Sequence, residues 1–507
     1  MDIRVVVAIV LQYDSNYQNV IKWGNPALAQ RQSRKNKGPS SNTVELFKLH
    51  LGDIPQDEKP SLPHELSHKK AISDYLHEFG KTNQILRIIV PAEFDDRAKD
   101  TMRKCLYDAE LTSSKKSTKV EFTTEPEAAA IYCMRNLRGQ NELIPINASY
   151  MVVDCGGGTV DLTTRKLLEH NKLGEITERT GDFCGGSYVD QEFLKFLSDD
   201  EKFGESTINL LRENNYGQLQ YMIQQFCQKL KFHFTGSQND FDSFEFDIEE
   251  ICPVLKQYCK DDVKDKMEEN DWIIEINFED LKSMFDPVVE KIIRLIRGQL
   301  DSIDSSNDKC SAIFLVGGFS ESKYLQLRVR EEFETLVLPI IVPKQPIAAI
   351  VRGACDYGLE MSTIVDRTLK YTYGIRIVRD RKAGDPKSQR VPGSRNSTYV
   401  FDRLVTRGAR VGVDQKISEI YIPHEPYITE LTFLIYKTTK LNAKYCNEPG
   451  VTYHGELVID LPDVYLGLNR EVEFSLIFGK MELIAEAKNV QNKRVYNTRI
   501  ELNFKNK

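Results

Sequence analysis

Between Tyr150 and Thr164 the chain reads YMVVDCGGGTVDLTT. Asp154 and Asp161 bracket three consecutive glycines, Gly156, Gly157 and Gly158, and the hydroxyl of Thr159. Glycine has no Cβ, so a glycine run lets backbone amides come close to an anion. Successive N–H groups in a tight turn form a concave nest for phosphate oxygens. A carboxylate beside such a nest can hold a hydrated Mg2+ on the phosphates. The chemistry that these groups point to is phosphate binding. The competing reading is a hairpin whose glycines only satisfy turn geometry; the two acids and the threonine favour the first. The flanks name the elements that position the groups. An apolar run, Met151 to Val153, ends in Asp154, and Val160 to Leu162 resume alternation, which is strand, turn, strand. No GxxxxGK[ST] occurs and the glycines lead into a strand, so this is neither a P-loop nor a dinucleotide fingerprint.

The 507 residues are enough for several domains. A content of 41% hydrophobic and 28% charged residues is ordinary for a soluble globular protein. No apolar stretch is long enough to span a bilayer. The opening MDIRVVVAIVLQYD lacks a signal-peptide outline, with an acid at Asp2 and no small-residue cleavage site. The chain therefore reads as cytoplasmic, with no membrane partner. The ten cysteines are scattered without a CxxC, which suits free thiols in a reducing compartment. The net charge of −7 argues against nucleic acid as a partner. His64 and His68 have i,i+4 spacing, but without further ligands they read as a solvated polar segment and not as a metal site.

Other stretches supply further candidates. A buried strand is predicted over 3–9 and a flexible basic, Gly/Pro/Ser-rich loop over 30–42. A strand over 85–90 and a helix over about 97–109 follow. A short strand over 120–122 precedes Glu125-Pro126, where the proline marks a helix start. A strand near Ile176 leads to Gly185-Gly186 and a helix beginning near Tyr188, whose N-terminal amides would favour an anion. Residues 219–234 read as one long helix carrying Gln228 and Lys231, with Thr235 just beyond. Strands are predicted over 241–255 and 271–277. Residues 278–300 form an amphipathic helix, with Leu281, Met284, Phe285, Val288, Ile292, Leu295 and Ile296 on one face. A buried strand over 312–316 ends in Gly317-Gly318-Phe319-Ser320, followed by helices over 323–333 and 346–357. After residues 362–366 the pattern turns to alternation without long helices. Strands are expected over 371–378, 416–421, 430–437, 455–461, 471–478, 482–489 and 497–504, spaced as in an all-β sandwich, with a mobile loop over 379–397.

Together these residues carry a resemblance. DCGGGTVDL resembles the second phosphate loop of the actin-like ATPase superfamily, and most of all its 70-kDa heat-shock protein branch. Pro91-Ala92-Glu93-Phe94 is similar to that family's VPAxF loop, and Val316 to Ser320 to its VGG[SF]S signature. NTVELFKLHLG over 42–52 resembles the segment that delivers a catalytic lysine, here Lys48. QKLKFHFT departs from the family's ExxKRxxS: Gln228 replaces the acid, Phe232 the arginine and Thr235 the serine, while Lys231 is unchanged. Ile347 stands where the family has an acid. The variants point to the divergent heat-shock 70-kDa protein 12-like subgroup. The first phosphate hairpin is absent, since no glycine occurs before Gly24, and the resemblance resumes over 20–28. It implies that a segment of some tens of residues is missing between Ile9 and Val10.

The resemblance implies an α/β fold: a two-lobed actin-like (ribonuclease H-like) ATPase domain, then a β-sandwich. Its domains would be 1–361 (lobe I about 1–145, lobe II about 146–345, closing helix 346–361), a linker over 362–367, and a peptide-binding sandwich over 368–507 without a helical lid. It implies ATP or ADP with Mg2+ in an interlobe cleft. Asp154 and Glu125 would hold the metal through water, Lys48 would orient the attacking water, and Thr159 would meet the γ-phosphate. Gly156, Gly157, Gly158, Asp161, Gly185, Gly186, Gln228, Lys231, Thr235, Gly317, Gly318 and Phe319 would contact the nucleotide. The implied function is a chaperone whose slow ATP hydrolysis controls binding of unfolded or extended peptides, with co-chaperones as further partners. Loss of the first hairpin leaves a second reading open, a binding-impaired pseudo-ATPase acting as a scaffold, because positioning is most of this chemistry. A sugar or glycerol kinase fits poorly, since such kinases carry no terminal β-sandwich.

Overall fold

The computed structural model describes residues 9–28, 42–52, 54–55, 59–80, 87–90, 94–115, 117, 120–137, 145–337, 339–478 and 483–499. The strand expected over 3–9 (save Ile9), the loop over 30–42 (save Asn42), Pro91 to Glu93 and the end of the last strand lie outside these residues. The fold is mixed α/β and divides into two compact units, Met1–Thr163 with Thr180–Leu359, and Thr164–Arg179 with Glu360–Lys507.

The first unit opens on β1 (Val10–Tyr13), which pairs antiparallel with β2 (Val20–Trp23) and β3 (Asn42–Glu45). The β1–β2 turn is closed by the Asp14 carboxylate, which accepts from Gln18 N at 2.8 Å and Asn19 Nδ2 at 2.7 Å. Next come α1 (His68–Gly80), β4 (Arg87–Val90), α2 (Asp96–Asp108), β5 (Glu121–Thr124) parallel to β4, and α3 (Glu125–Leu137). The Thr124 hydroxyl accepts from Glu127 N at 3.3 Å and the Glu127 carboxylate accepts from Thr124 N at 3.5 Å. This reciprocal capping box, with Pro126 in the first turn, fixes where α3 begins.

Strands β6 (Ser149–Cys155), β7 (Val160–Leu168), β8 (Lys172–Glu175) and β9 (Thr180–Asp182) follow. The helical layer comprises α4 (Ser187–Leu197), α5 (Glu205–Asn214) and α6 (Tyr216–Phe226). The helix expected over 219–234 stops at Phe226 and gives way to a π turn over Cys227–Lys231. The strand expected over 241–255 covers only β10 (Phe244–Asp247). There the Asp247 carboxylate accepts from Glu250 N at 3.0 Å and starts the short α7 (Ile248–Ile251), so a cap overrides the apolar run. After α8 (Asp261–Glu269), β11 (Ile273–Ile276) pairs antiparallel with β10. A capping box between Asn277 and Asp280 opens α9 (Phe278–Ser305), which outlasts its expected end at residue 300. Then come β12 (Cys310–Val316), α10 (Lys323–Phe333), β13 (Ile340–Ile341) and α11 (Ala349–Leu359).

In this unit's main sheet the order is β13-β12-β6-β7, with β12 parallel to both β13 and β6, and β9 antiparallel to β7. Met151 and Val153 of β6 pack with Val189 and Phe193 of α4, Phe226 of α6, and Phe285, Ile292 and Ile296 of α9 in one buried cluster. The rings of Phe193 and Phe226 stack 4.1 Å apart. Helices α3 and α11 touch backbone to backbone: a Cβ on Gly353 would lie 1.7 Å from the Ala128 carbonyl oxygen.

In the second unit the outer half of β7 and β8 form an antiparallel hairpin, Arg165 opposite Glu175. β14 (Asp366–Thr368), β15 (Thr372–Asp380), β16 (Ser397–Val405), β17 (Arg410–Gly412), β18 (Lys416–Tyr421), β19 (Glu430–Thr438), β20 (Val451–Asp460), β21 (Val472–Ile477), β22 (Ile484–Asn489) and β23 (Val495–Arg499) follow. They form two four-stranded antiparallel sheets, β16-β15-β19-β20 and β18-β21-β22-β23, with β14 paired to β17. Ile375, Phe433, Ile435, Leu457 and Ile459 of the first sheet share one buried cluster with Val472, Phe474, Leu476, Ala485 and Ala487 of the second. Strands β14, β16 and β17 were not expected. The loop expected over 379–397 is organised by Asp385, whose carboxylate accepts from Arg379 Nη1 at 2.8 Å, Arg379 Nη2 at 2.9 Å, Lys382 N at 2.7 Å and Tyr445 Oη at 2.9 Å. Those four donors hold the Asp385 carboxyl below the usual range, Arg379 most of all.

Candidate functional site

Parallel strands β6 and β12 end side by side, Asp154 in register with Val316. Both predicted glycine turns therefore emerge from one edge of the sheet. Gly317 sits at φ +83°, and a Cβ there would fall 2.4 Å from Asp154 Oδ1 and 2.4 Å from the Cys155 carbonyl oxygen. Only glycine leaves room for the Asp154 carboxylate. The first turn is closed by Gly156 N donating to Thr159 O at 2.9 Å. Gly157 is exposed at its tip, and an added Cβ would meet nothing within 4 Å.

The carbonyls of this turn are held from behind. Gly185 N donates to Gly158 O at 3.3 Å, Gly186 N to Gly156 O at 2.9 Å and Ser187 N to Gly157 O at 2.7 Å. A Cβ on Gly185 would lie 2.5 Å from the Gly157 backbone, which is why the contact needs glycine. The amides preceding α4, expected to face an anion, thus bond the turn itself. In a trans peptide the C=O of one residue and the N–H of the next point in opposite directions. Three carbonyls fixed toward Gly185, Gly186 and Ser187 therefore aim the N–H groups of Gly157, Gly158 and Thr159 the other way, as a nest requires.

Asp154 is 2% exposed, and its Oδ1 has no hydrogen-bond partner. Burial first, then the negative charges of Glu125 and Asp161, push its carboxyl well above the usual carboxylate range, while Lys48 pulls it down. Asp161, at the start of β7, is fully buried. Thr159 is buried beside it at 6% exposure. Lys48 Nζ lies 2.7 Å from Glu125 Oε1, with both side chains partly accessible. Glu125 stands in the first turn of α3, set by the capping box. Lys48 is carried by the 3-10 turn Phe47–Leu51 after β3, which Leu46 enters at φ +57°. The neighbouring Leu49 packs on Gly158, where a Cβ would lie 2.7 Å from the leucine. Lys48, Glu125, Asp154, Thr159 and the glycine turn are thus brought to one place.

The other candidates lie differently. Lys231 is 7% exposed and donates to the Gly186 carbonyl and to Asp190 Oδ1, both at 2.6 Å. Burial raises the Asp190 carboxyl, with the Lys231 ammonium opposing. Gln228 is exposed on the π turn, next to Phe232 at 65% exposure. The Thr235 hydroxyl accepts from Ser237 N at 3.2 Å. Phe319 follows Gly318, is 7% exposed and belongs to the main core, its ring against Gly186. Sequence reasoning missed Asp190, and also Glu45 at the end of β3. The Glu45 carboxyl is pushed up to about 7, by burial first and then by Asp190. The readable signal was Lys231 itself, since a buried lysine calls for a carboxylate. His68 stacks on His50 with centroids 5.5 Å apart, while His64, Glu65, Ser67 and Lys69 are exposed. Among the described residues no three histidine, cysteine or acid side chains are grouped to hold a metal directly, and no helix is long and apolar enough to cross a membrane.

No protein-family model matches the chain. It is 25% identical to heat shock 70 kDa protein 12A of Homo sapiens over 483 residues, which is 82% of this chain and 70% of that protein. It is 24% identical to human heat shock 70 kDa protein 12B over 525 aligned residues, 90% of this chain and 73% of that protein. A shorter similarity, 24% identity over 263 residues, joins it to the chaperone protein HscA of Buchnera aphidicola, covering 52% of this chain and 42% of that one.

Proposed function

The chain is a divergent member of the 70-kDa heat-shock protein family, and from that premise we propose that it binds a magnesium nucleoside triphosphate at the Gly156–Gly158 turn and hydrolyses it slowly. On this reading the first unit is the two-lobed actin-like nucleotide domain and the two β-sheets of the second are the sandwich for extended peptides. The observation that carries the reading is the buried, unpartnered Asp154 Oδ1 beside a turn whose three N–H groups point outward. An ionised carboxylate without a partner is costly in a protein interior. A divalent cation within reach would supply the missing charge. With no cluster of direct ligands among the described residues, the metal would be held as Mg2+ commonly is, by one or two carboxylates, water and phosphate.

The residues present fit that group. Asp154, with Glu125 across from it, would hold the hydrated metal. The amides of Gly157, Gly158 and Thr159 would cradle phosphate oxygens, and the Thr159 hydroxyl would meet the terminal one. When bound, the metal would neutralise charge on the phosphates. Lys48, released from Glu125, would orient the attacking water. Gly317 keeps the Asp154 carboxylate in place, and Gly185 and Gly186 keep the turn in shape.

A second reading, binding without hydrolysis, draws on the closed Lys48–Glu125 pair at 2.7 Å, which turns the lysine toward the carboxylate. Calorimetric titration with Mg-ATP and Mg-ADP, combined with phosphate release on the same sample, separates the two. Binding with slow release supports the first reading and binding with no release the second. No binding at millimolar nucleotide by folded protein removes both.

A further inference from the structure

We propose that the second unit carries, along the outer edge of β16, a docking strip for an acidic, extended segment of a partner protein. The inference goes beyond the glycine turn and stands without it. Charge sets this unit apart. Residues 360–507 hold 24 Lys and Arg against 18 Asp and Glu, whereas the whole chain holds 68 against 75.

β16 ends the sheet order β16-β15-β19-β20, so the sheet pairs only one of its edges. A bare strand edge invites pairing, and proteins cover or charge it. Two loops are laid along this one. At the start of β16, Arg390 bridges antiparallel to Thr398, Val391 N donates to Ser397 O at 3.2 Å, and the Thr398 hydroxyl donates to Gln389 O at 3.1 Å. Further on, Phe401 N donates to Lys444 O at 2.9 Å and Arg403 Nη1 to Leu441 O at 2.8 Å. Tyr445 Oη on Asp385 ties the two loops to each other. From Thr398 to Arg403 the strip runs roughly 17 Å, at about 3.4 Å per residue, which suits an extended segment of about five residues.

The side chains of these loops are nearly all of one sign. Residues 381–396 and 439–450 hold seven Lys and Arg against two acids, Asp385 and Glu448. Both acids are engaged within the loops. Asp385 serves Arg379, Lys382 N and Tyr445. Glu448 Oε1 accepts from Lys444 N at 2.8 Å and Tyr445 N at 2.9 Å, and its Oε2 lies 3.7 Å from Lys440 Nζ. Arg390, Arg395 and Lys444 are exposed, and among the described residues no carboxylate pairs with their side chains. With the backbone edge already covered, recognition falls to these cations, which take carboxylates through charge-assisted hydrogen bonds. Loops held in shape before binding lose less freedom on binding. An acidic segment matches the strip better than a broader polyanion does. At physiological salt, exposed charges more than about 8 Å apart are largely screened, so a single segment meets the strip alone. A membrane or a nucleic acid is larger than the strip and must also approach a chain whose net charge is −7.

The test is fluorescence anisotropy of the full chain with three labelled peptides of equal length, alternating Glu-Ser, Lys-Ser and Leu-Ser. The Glu-Ser peptide is expected to bind the most tightly, and more weakly as salt is raised. The double variant Arg390→Glu/Lys444→Glu should weaken it about tenfold or more, since like charges then face each other. Lys493→Glu, the same change in the exposed turn between β22 and β23 of the other sheet, should alter it less than about twofold. No binding of the Glu-Ser peptide by the folded chain overturns the inference, as does unchanged binding by the double variant. Equal binding of the Leu-Ser peptide removes the charge selection and leaves only the reading of the sandwich as a peptide site. Tighter binding to phosphatidylserine vesicles, lost in the double variant, gives the strip to a membrane instead. The peptide series uses the unsubstituted chain, so it decides the matter even where a variant fails to fold.

Discussion

Asp154 in the first unit and Glu175 in the second are both acids withdrawn from water, and the chain treats them in opposite ways. Glu175, fully buried, is surrounded. Arg165 Nη2 stands 3.0 Å and Arg179 Nε 3.3 Å from its Oε1, and its Oε2 accepts from Thr368 N at 2.6 Å. Its own amide donates to Asp366 Oδ1 at 2.7 Å, which ties β8 to the start of β14. Among the described residues Asp154 has no cation in hydrogen-bond contact, has two acids near it, and keeps an unpartnered oxygen beside an open turn. A buried acid whose charge is answered by two guanidinium groups holds a fold together. One left unanswered marks a place where something else must supply the answer.

The largest effect expected is at the answered acid. Glu175→Ala leaves the Arg165 guanidinium buried without its carboxylate, and removing one partner of a buried pair costs about 3–5 kcal/mol. Unfolding by denaturant should show that loss, while Mg-ATP affinity changes less than about twofold. At the unanswered acid the pattern inverts. Asp154→Asn should weaken Mg-ATP by about 100-fold, near 2.7 kcal/mol, with the melting temperature at pH 8 unchanged or higher. Were Asp154→Asn to unfold the protein as Glu175→Ala does, Asp154 would be structural too, and the comparison would collapse.

How much of this was legible in the sequence follows the range of the interactions. The glycine turn, the helix start at Glu125 and the strand before Gly317 rest on contacts between near neighbours, and pattern and turn chemistry reach them. So do most strands of the second unit, where alternation is strong, although β16 was missed because it begins in a loop-like stretch ending at Ser397. The engagement of Gly185 and Gly186 with the turn carbonyls was not legible. A helix N-terminus looks the same in sequence whether its amides face a ligand or a neighbouring loop. The destination of Lys231 was hidden for the same reason, since Asp190 lies forty-one positions away. The excursion of 164–179 into the second unit had no local signature at all.

Glu45 offers a smaller, pH-dependent version of the comparison, because it too is an acid raised by burial, with Asp190, Tyr216 and Cys227 around it. Its folded pKa of about 7 lies above the ordinary glutamate value of about 4.3. Between those values the folded state holds a proton that the unfolded chain has released, so stability falls as pH rises through the window. Above pH 7 the full penalty is present, about 2 kcal/mol after allowing for partial exposure. Glu45→Gln should therefore raise the melting temperature by a few degrees at pH 8, with the gain fading toward pH 5. A gain independent of pH would mean that Glu45 is not held protonated.

The smallest change expected separates turn geometry from turn function. Gly157 is exposed, its φ is not positive, and a methyl group there would touch nothing. If the three glycines serve only to close a hairpin, Gly157→Ala has no reason to alter anything but stability, and that within about 0.5 kcal/mol. If the outward amides are a phosphate nest, the added methyl stands in the space that a phosphate oxygen would occupy, since close backbone approach is what glycine provides. Mg-ATP affinity should then fall roughly three- to tenfold, about 1 kcal/mol, with the melting temperature unmoved. Equal affinity in the two proteins would return the turn to the hairpin reading and leave Asp154 a buried acid still unexplained.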